Sequence, residues 1–135
     1  IKLGTNALSA VGASAIKLRV TQTTDEWPDR TFDAVTMIDV MHHIPEETQH
    51  SFFNEACKRV CPGGMLLYKD MANKPIWMAT ANRLHDLALA RQWISYVGIS
   101  EIEKWAQENG FDCMRSEDRS IIWYRHELRL FRKSS

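Results

Sequence analysis

The stretch FDAVTMIDVMHHIPEE, residues 32–47, decides the fold of this chain. Residues 32–38 are mostly apolar on both alternating faces, which is typical of a strand covered on both sides in a parallel sheet. The apolar run ends in Asp39, and two histidines, His42 and His43, follow closely. Open α/β sheets bind their ligands at the carboxyl ends of their strands. We therefore predict a ligand site directly after this strand.

The residues after Pro45 predict a helix that packs on this strand. Acidic residues suit its first turn and basic residues its last turn, because of the helix dipole. Its predicted apolar stripe consists of Phe52, Phe53, Ala56, Cys57 and Val60. The sequence CPGG, residues 61–64, should end the helix, because proline cannot continue it and glycines allow a tight reversal. MLLYKD, residues 65–70, then predicts a second strand.

A strand, a helix and a strand with short connections form a βαβ unit. Its crossover is right-handed in nearly all known cases, and its two strands are therefore parallel. Residues 34–39 and 65–70 should lie side by side, and both segments end in an aspartate, Asp39 and Asp70. Because the carboxyl ends of parallel strands share one edge of a sheet, these two carboxylates are expected to lie close together.

The segments on either side predict the margins of the sheet. IKLRV, residues 16–20, alternates apolar and basic side chains, which is typical of a strand near a sheet edge with one face in water. TNALSAV, residues 5–11, predicts a short helix before it. At the other end of the chain, residues 111–116 and 120–133 predict an antiparallel hairpin with its turn at EDRS, residues 117–120.

The segment before this hairpin, SEIEKWAQENG at residues 100–110, predicts a helix. Ser100 and Glu103 have the spacing of a capping box, in which each side chain accepts a hydrogen bond from the backbone N–H of the other residue. Asn109 and Gly110 predict the end of this helix. The helix should cover the sheet through an apolar stripe on one face.

The composition predicts one globular domain over residues 1–135. Of the 135 residues, 44% are hydrophobic and 25% charged, enough to bury roughly two thirds of the unfolded surface. Lys plus Arg equal Asp plus Glu at 17 each, so no strong field favours nucleic acid or an anionic membrane as a partner. No apolar stretch suits a membrane span or a signal peptide. We therefore expect a soluble, cytoplasmic protein whose partner is a small molecule or another protein.

The thiols and imidazoles do not predict a metal site or a disulfide framework. The chain has three cysteines, in no CxxC pattern: Cys57, Cys61 and Cys113. Their number and spacing argue against disulfides and structural zinc, and we expect all three to be reduced. The histidines at residues 42, 43 and 50 also lack the ligand spacing of a zinc motif.

The ordered segments resemble the second half of a class I S-adenosylmethionine-dependent methyltransferase. The residues that carry the resemblance are FDAV at 32–35, DVMHHI at 39–44, RV at 59–60, PGG at 62–64 and GF at 110–111. The resemblance covers about residues 13–135 and implies a Rossmann-like three-layer α/β sandwich. The family sheet is mostly parallel, in the order 3-2-1-4-5-7-6, and it closes with an antiparallel C-terminal hairpin. In that order residues 16–20 are strand 3 and residues 34–39 are strand 4.

The resemblance also implies a cofactor and a reaction. S-adenosylmethionine is expected to bind at the carboxyl ends of the strands, where its methyl group passes to a small-molecule acceptor by direct displacement. The implied contacts of its methionine half are Asp39, Val40 and Met41. The implied contacts of its adenine lie in the loop QTTDEW at residues 22–27: Gln22 or Thr23, at the position of a family aspartate, with Asp25 or Glu26 as substitutes.

Three polar residues are candidates for acting on the methyl acceptor. His42 or His43, of which only one can face the substrate, could take a proton from an oxygen or nitrogen nucleophile. The alternative for both histidines is a hydrogen bond to the backbone at the end of the strand. Asp70 could orient the substrate, or it could cap the segment that follows it.

The segment between the second strand and the next helix lies where the family places its substrate-recognition elements. Trp77, His85 and Tyr96 could line a substrate pocket in this segment. Aromatic side chains at helical spacing are also common in a core or at a dimer contact, and that alternative stays open.

One part of the family pattern has no counterpart in this chain. The family carries an acidic residue and a Gly-x-Gly loop after strand 1, whereas Gly4 and Gly12 are too far apart to form that loop. We expect that strands 1 and 2 lie upstream of Ile1 in a longer protein, and that residues 1–135 alone bind S-adenosylmethionine weakly or not at all. The alternative is a natural short protein, a non-catalytic relic or a homodimerising module, in which a partner covers the open sheet edge.

Overall fold

The described part of the sheet has four strands, and their order confirms the predicted fold class. The structure is a computed structural model that describes residues 8, 10, 12–13, 15–71, 95–121 and 124–135. The elements are β1 (Phe32–Ile38), α1 (Glu46–Lys58), β2 (Val60–Met71), α2 (Ile99–Glu108), β3 (Phe111–Ile121) and β4 (Tyr124–Lys133). Single turns of 3-10 helix cover Thr24–Glu26 and Met41–His43. The strand order β1-β2-β4-β3 corresponds to strands 4-5-7-6 of the family.

β1 and β2 are parallel neighbours, as the sequence predicts. Ile38 pairs with Lys69 near the end of both strands, and the backbone N–H of Asp39 donates to the carbonyl of Lys69 at 2.9 Å. The strands are parallel because α1 carries the chain back to the start of the sheet before β2 begins. Their carboxyl ends therefore open at one edge of the sheet.

The CPGG segment, residues 61–64, lies inside β2 as an irregularity rather than before it as a free turn. Here β2 advances five residues while β1 advances two. A Cβ at Gly64 would lie 2.9 Å from the carbonyl oxygen of Asp33, so the close approach of the two strands requires glycine here. α1 has already ended at Lys58, and the glycines therefore shape the strand pairing rather than stop the helix.

Both helices contact one face of the sheet and enclose the core with it. Along β2, residues 64, 66, 68 and 70 are buried, and the residues between them are more exposed. The largest fully buried side chains are Phe53, Phe131, Met41, Leu66, Ile102, Val60 and Cys57. Burial of this apolar surface is the main favourable term for folding.

The opposite face of β1 and β2 is open among the described residues. Ile38 is 52% exposed and Met65 is 43% exposed, and β1 lies at one edge of the described sheet. This differs from the prediction of a strand covered on both faces, because the described part of the chain places both helices on the other face. The described contacts therefore cover only one of the two faces of β1.

The closing hairpin is confirmed, but its predicted turn is wrong. EDRS, residues 117–120, lies within β3, and the two strands pair as far as Ile121 with Tyr124. Polar residues are accommodated in this strand because they find cross-strand partners. Asp118, for example, accepts a hydrogen bond from Nη1 of Arg129 at 2.9 Å.

The predicted capping box at the start of α2 is also wrong. Gly98 is the N-cap, no side chain caps the helix, and Ser100 lies inside it. The Glu103 carboxylate instead accepts a hydrogen bond from Nε of the buried Arg129 at 2.6 Å. Burial by itself lowers the pKa of Arg129, but the hydrogen bonds to Glu103 and Asp118 outweigh it and raise this pKa. A tertiary ion pair has thus replaced the local cap.

The predicted edge strand at residues 16–20 does not form. These residues have no strand structure, and their side chains are exposed, including Ile16, Leu18 and Val20. A strand requires a hydrogen-bonded neighbour, and none of the four described strands lies beside this segment. Most of the helix predicted at residues 5–11 lies outside the described residues.

Two neighbouring phenylalanines on α1 test the assignment of the core. Phe53 is fully buried, whereas Phe52 is half-buried and packs edge-on against Trp27 with ring centroids 5.0 Å apart. Phe53→Ala should lower the free energy of unfolding by about 3–5 kcal/mol. Phe52→Ala should cost less than about half of that. Urea denaturation of both variants measures the difference, and equal losses would contradict this core.

The three cysteines are free thiols that differ in burial. Cys57 is buried, and burial raises its pKa to about 12, so its sulfur stays a protonated, unreactive thiol at pH 8. Ellman's reagent should therefore modify the half-buried Cys61 and the exposed Cys113 in the folded protein, and Cys57 only after denaturation. A Cys57→Ser variant, which should lack the slow thiol, is the control. Equal rates for all three thiols in the wild type would contradict the prediction.

Candidate active site

Asp39 ends β1 at the carboxyl edge of the sheet in an uncommon backbone conformation. Its φ is 51°, in the left-handed region that costs a residue with a Cβ about 1–2 kcal/mol. Aspartate visits this region more readily than most residues, because its short polar side chain bonds locally. The Asp39 carboxylate accepts two hydrogen bonds from Nζ of Lys69, at 2.6 and 2.8 Å. The residue thereby turns the chain out of the sheet toward the two histidines.

Asp70 is buried at the end of β2 and holds the turn that follows β1. One carboxylate oxygen accepts the backbone N–H of Met41 at 2.9 Å and that of His42 at 3.4 Å. The other oxygen accepts Nδ1–H of His42 and the backbone N–H of Met71 at 2.7 Å. Asp70 and His42 are each only 3% exposed. The carboxylate therefore sets the position of both the backbone turn and the imidazole ring.

The two histidines lie side by side but in different environments. Their ring centroids are 4.0 Å apart, and His42 is buried whereas His43 is exposed. Both belong to a cleft of about 380 Å³ that is lined by Asp39, His42, His43, Met71 and His126. The structure therefore brings the predicted residues Asp39, His42 and His43 together at the carboxyl edge of β1 and β2.

Gln49, on α1, binds the same turn. The sequence did not indicate this residue as part of the site. Its side-chain amide donates to the carbonyls of Met41 at 3.3 Å, Ile44 at 3.1 Å and Ser95 at 2.8 Å. The carbonyl of His42 in turn accepts the backbone N–H of Ser95 at 3.1 Å. The available signal was its place four and seven residues before Phe53 and Ala56, on the buried face of α1, because a buried amide must find partners.

Met71 and His126 are the other lining residues that the sequence did not suggest. They face each other as a pair between β2 and β4, although 55 positions separate them in the chain. His126 also lines a neighbouring cleft of about 320 Å³ with Lys69, Glu117, Arg119 and Leu128. No local pattern marks His126 as a site residue, because only the strand pairing brings it to this edge.

The remaining predicted cofactor residues are divided among several positions. Gln22 and Thr23 line a separate cleft of about 370 Å³, between their loop and α1. Asp25 and Glu26 are exposed on the 3-10 turn that follows, and they line neither this cleft nor the cleft of the two histidines. Val40 is half-buried, and the side chain of Met41 is fully buried in the core. The contact of these residues with a cofactor stays a prediction.

The predicted substrate residues are only partly covered by the structure. Trp77 and His85 lie outside the described residues. Tyr96 is half-buried, with its ring centroid 6.3 Å from that of His42. Asp70 lies at the site, where its two oxygens accept hydrogen bonds from the turn after β1 and from the backbone of Met71. Its predicted roles, orienting a substrate or capping the segment that follows, both stay predictions.

Two further properties concern the described residues only. They contain no group of three or more His, Cys, Asp or Glu side chains arranged to hold a metal ion. Among the same residues, no helix combines the length and the apolar character that a membrane crossing requires.

A family model described as a methyltransferase domain matches residues 6–116. The match covers most of the chain and agrees with the strand order 4-5-7-6 of the sheet. The chain therefore belongs to the class I S-adenosylmethionine-dependent methyltransferase family. No curated protein sequence matches it significantly.

Solved structures share the fold at low sequence identity. A magnesium protoporphyrin IX methyltransferase from Synechocystis PCC 6803, solved with SAH, superposes with a TM-score of 0.73 at 18% identity, over 97% of this chain and 57% of that one. The N-methyltransferase NodS from Bradyrhizobium japonicum WM9, also with SAH, gives 0.68 at 16% identity, over 96% and 60%. The [4+2]-cyclase SpnF gives 0.74 at 12% identity, over 99% and 62%. The chain thus spans about three fifths of each of these structures.

The backbone of Asp39 yields a prediction about this site. Asp39→Gly should change the free energy of unfolding by less than about 1 kcal/mol, because relief of the left-handed strain offsets loss of the exposed Lys69 ion pair. Asp39→Val should destabilise by about 1–3 kcal/mol, because a β-branched residue is strongly disfavoured at positive φ. Thermal denaturation separates the two variants. Equal stability of the glycine and valine proteins would contradict a strained turn at Asp39.

Proposed function

We propose that this protein transfers a methyl group from S-adenosylmethionine to a small-molecule acceptor in the cleft lined by Asp39, His42 and His43. The observation that carries the proposal is the position of this cleft. It lies at the carboxyl ends of two parallel strands, where α/β sheets bind their ligands. Two of the similar structures were solved with SAH, the demethylated form of that cofactor.

The described residues fit one wall of such a cofactor site. Asp39 keeps 42% of its side chain exposed, and its carboxylate can accept hydrogen bonds from an ammonium or hydroxyl group. Beside the Asp39 carboxylate, the cleft is lined by the less polar side chains of Met71, His42 and His43. We assign the cofactor contact to Asp39 and the acceptor side of the cleft to the histidines.

The contribution of the protein to this reaction is mainly position and exclusion of water. The cofactor supplies an activated methyl group, and charge is dispersed as the methyl group moves. A site that aligns the two reactants in apolar surroundings therefore accelerates the transfer without a universal catalytic side chain. The buried hydrogen bonds around Asp70 keep the floor of this cleft in one arrangement.

Calorimetry with S-adenosylhomocysteine tests the cofactor site. In the protein expressed from its complete reading frame we expect micromolar affinity, and Asp39→Ala should weaken it about ten-fold, because one charge-assisted hydrogen bond is lost. Glu46→Ala is the matched control, because Glu46 is an exposed acidic residue on the first turn of α1. Its affinity should equal that of the wild type.

Two outcomes would contradict these assignments. Absence of binding in the complete protein would remove the methyltransferase proposal, and equal weakening by both substitutions would remove the role of Asp39.

The second candidate function is a non-catalytic or dimerising module with a methyltransferase fold. The exposed apolar residues Ile38 and Met65 on the open sheet face favour this alternative. The [4+2]-cyclase SpnF has a similar fold, so the fold by itself does not determine methyl transfer. Binding of S-adenosylhomocysteine favours the first function, whereas a stable homodimer in sedimentation without such binding favours the second.

A further inference from the structure

We propose that Asp70 is a positioning residue that makes His42 the proton acceptor of the cleft, and that the methyl acceptor is therefore a hydroxyl or amine that loses a proton. This inference rests on the proposed function and names the class of its substrate. The Asp70 carboxylate and the His42 ring form a hydrogen bond at the carboxyl edge of the sheet.

The contact with Asp70 determines which nitrogen of His42 carries the proton. A carboxylate only accepts hydrogen bonds, so Nδ1 of His42 must be the protonated nitrogen of the pair. In a neutral imidazole the other nitrogen, Nε2, then carries a lone pair. Nδ1 is occupied by Asp70. Because His42 lines the cleft, Nε2 is the nitrogen that remains available for a ligand. Asp70 thereby selects the tautomer that can accept a proton.

The surrounding hydrogen bonds hold the His42 ring in one orientation. Asp70 also accepts the backbone N–H of His42 and of Met41, so that ring and backbone are held by one carboxylate. On the other side, the carbonyl of His42 accepts the N–H of Ser95, and Gln49 binds the carbonyl of Met41. A side chain held in this way loses little entropy when it meets a substrate.

His43 is the less suitable proton acceptor of the two. Its ring lies against that of His42, but it is exposed to water, and the Asp70 carboxylate binds only the ring of its neighbour. We therefore assign proton transfer to His42 and a lining role to His43. This assignment resolves the choice between the two histidines that the sequence left open.

The proton and electron balance of the step limits the acceptor. The acceptor proton passes to Nε2 of His42, the acceptor oxygen or nitrogen bonds to the methyl carbon, and the carbon–sulfur bond breaks with its electron pair on sulfur. The imidazolium of His42, paired with the Asp70 carboxylate, later returns its proton to water. A nucleophile without an acidic proton needs no such base, and the buried pair favours phenols, alcohols and protonated amines.

Phenol and its methyl ether, anisole, test this arrangement without turnover. In a long-range proton–nitrogen NMR spectrum of the ¹⁵N-histidine protein, His42 should show the Nδ1–H tautomer. Phenol, which donates a hydrogen bond, should shift the Nε2 resonance upfield, whereas anisole of nearly the same shape should not. A purely structural histidine would give the same tautomer but no phenol-specific shift.

Two variants test whether the Asp70 carboxylate sets the tautomer of His42. Asp70→Asn should lose both the single tautomer and the phenol shift, because its amide can also donate to Nδ1. His50→Gln should retain both, since His50 is an exposed histidine on α1 that does not line the cleft. Circular dichroism checks folding of each variant, and the wild-type comparison of phenol with anisole decides the matter if Asp70→Asn does not fold.

The outcomes distinguish this inference from the proposed function. An Nε2–H tautomer in the wild type, or no difference between phenol and anisole, overturns the role of His42 and Asp70. S-adenosylhomocysteine binding in the same sample keeps the methyltransferase function even then. A phenol-specific shift without cofactor binding supports the proton acceptor and removes the methyl transfer.

Discussion

The buried carboxylate of Asp70 is the interaction on which the rest of the site depends. A charge removed from water is costly unless hydrogen bonds replace its hydration. Here four donors do so: the backbone N–H groups of Met41, His42 and Met71, and Nδ1–H of His42. These donors come from the end of β2 and from the turn after β1. One carboxylate thus joins the two strand ends, and the cleft forms where they meet.

The same principle explains how the polar residues of the closing hairpin are accommodated. Arg129 lies on the helix side of β4 and is 5% exposed, yet it binds Glu103 on α2 and Asp118 on β3. Lys133 donates to the carbonyls of Cys57 and Val60 at 3.0 and 2.9 Å, near the end of α1. Long basic side chains from the last strand therefore satisfy groups on the helices and adjacent strands. The hairpin contributes to the fold through these contacts as well as through its apolar residues.

The family and the site carry different kinds of information about function. The fold is shared with methyltransferases and with a [4+2]-cyclase, so the sheet alone does not determine the reaction. The chemistry must be argued from particular atoms. Asp39 presents a carboxylate beside the cleft, and His42 is held in one orientation by Asp70. The reaction type and substrate class proposed above rest on those groups together with the family.

The sequence by itself determined the βαβ unit, because apolar periodicity, the helix boundaries and the right-handed crossover leave one arrangement for β1, α1 and β2. It also placed Asp39, His42 and His43 at the carboxyl edge, since that follows from strand direction alone. Four local expectations failed: the strand at residues 16–20, the helix stop at residues 61–64, the Ser100 capping box and the turn at residues 117–120. In each case a distant contact, or the lack of one, outweighed the local pattern. The bond between Asp70 and His42, the support from Gln49 and the arrival of His126 were decided only by tertiary structure, because they join residues that are far apart in the chain and have no shared local signal.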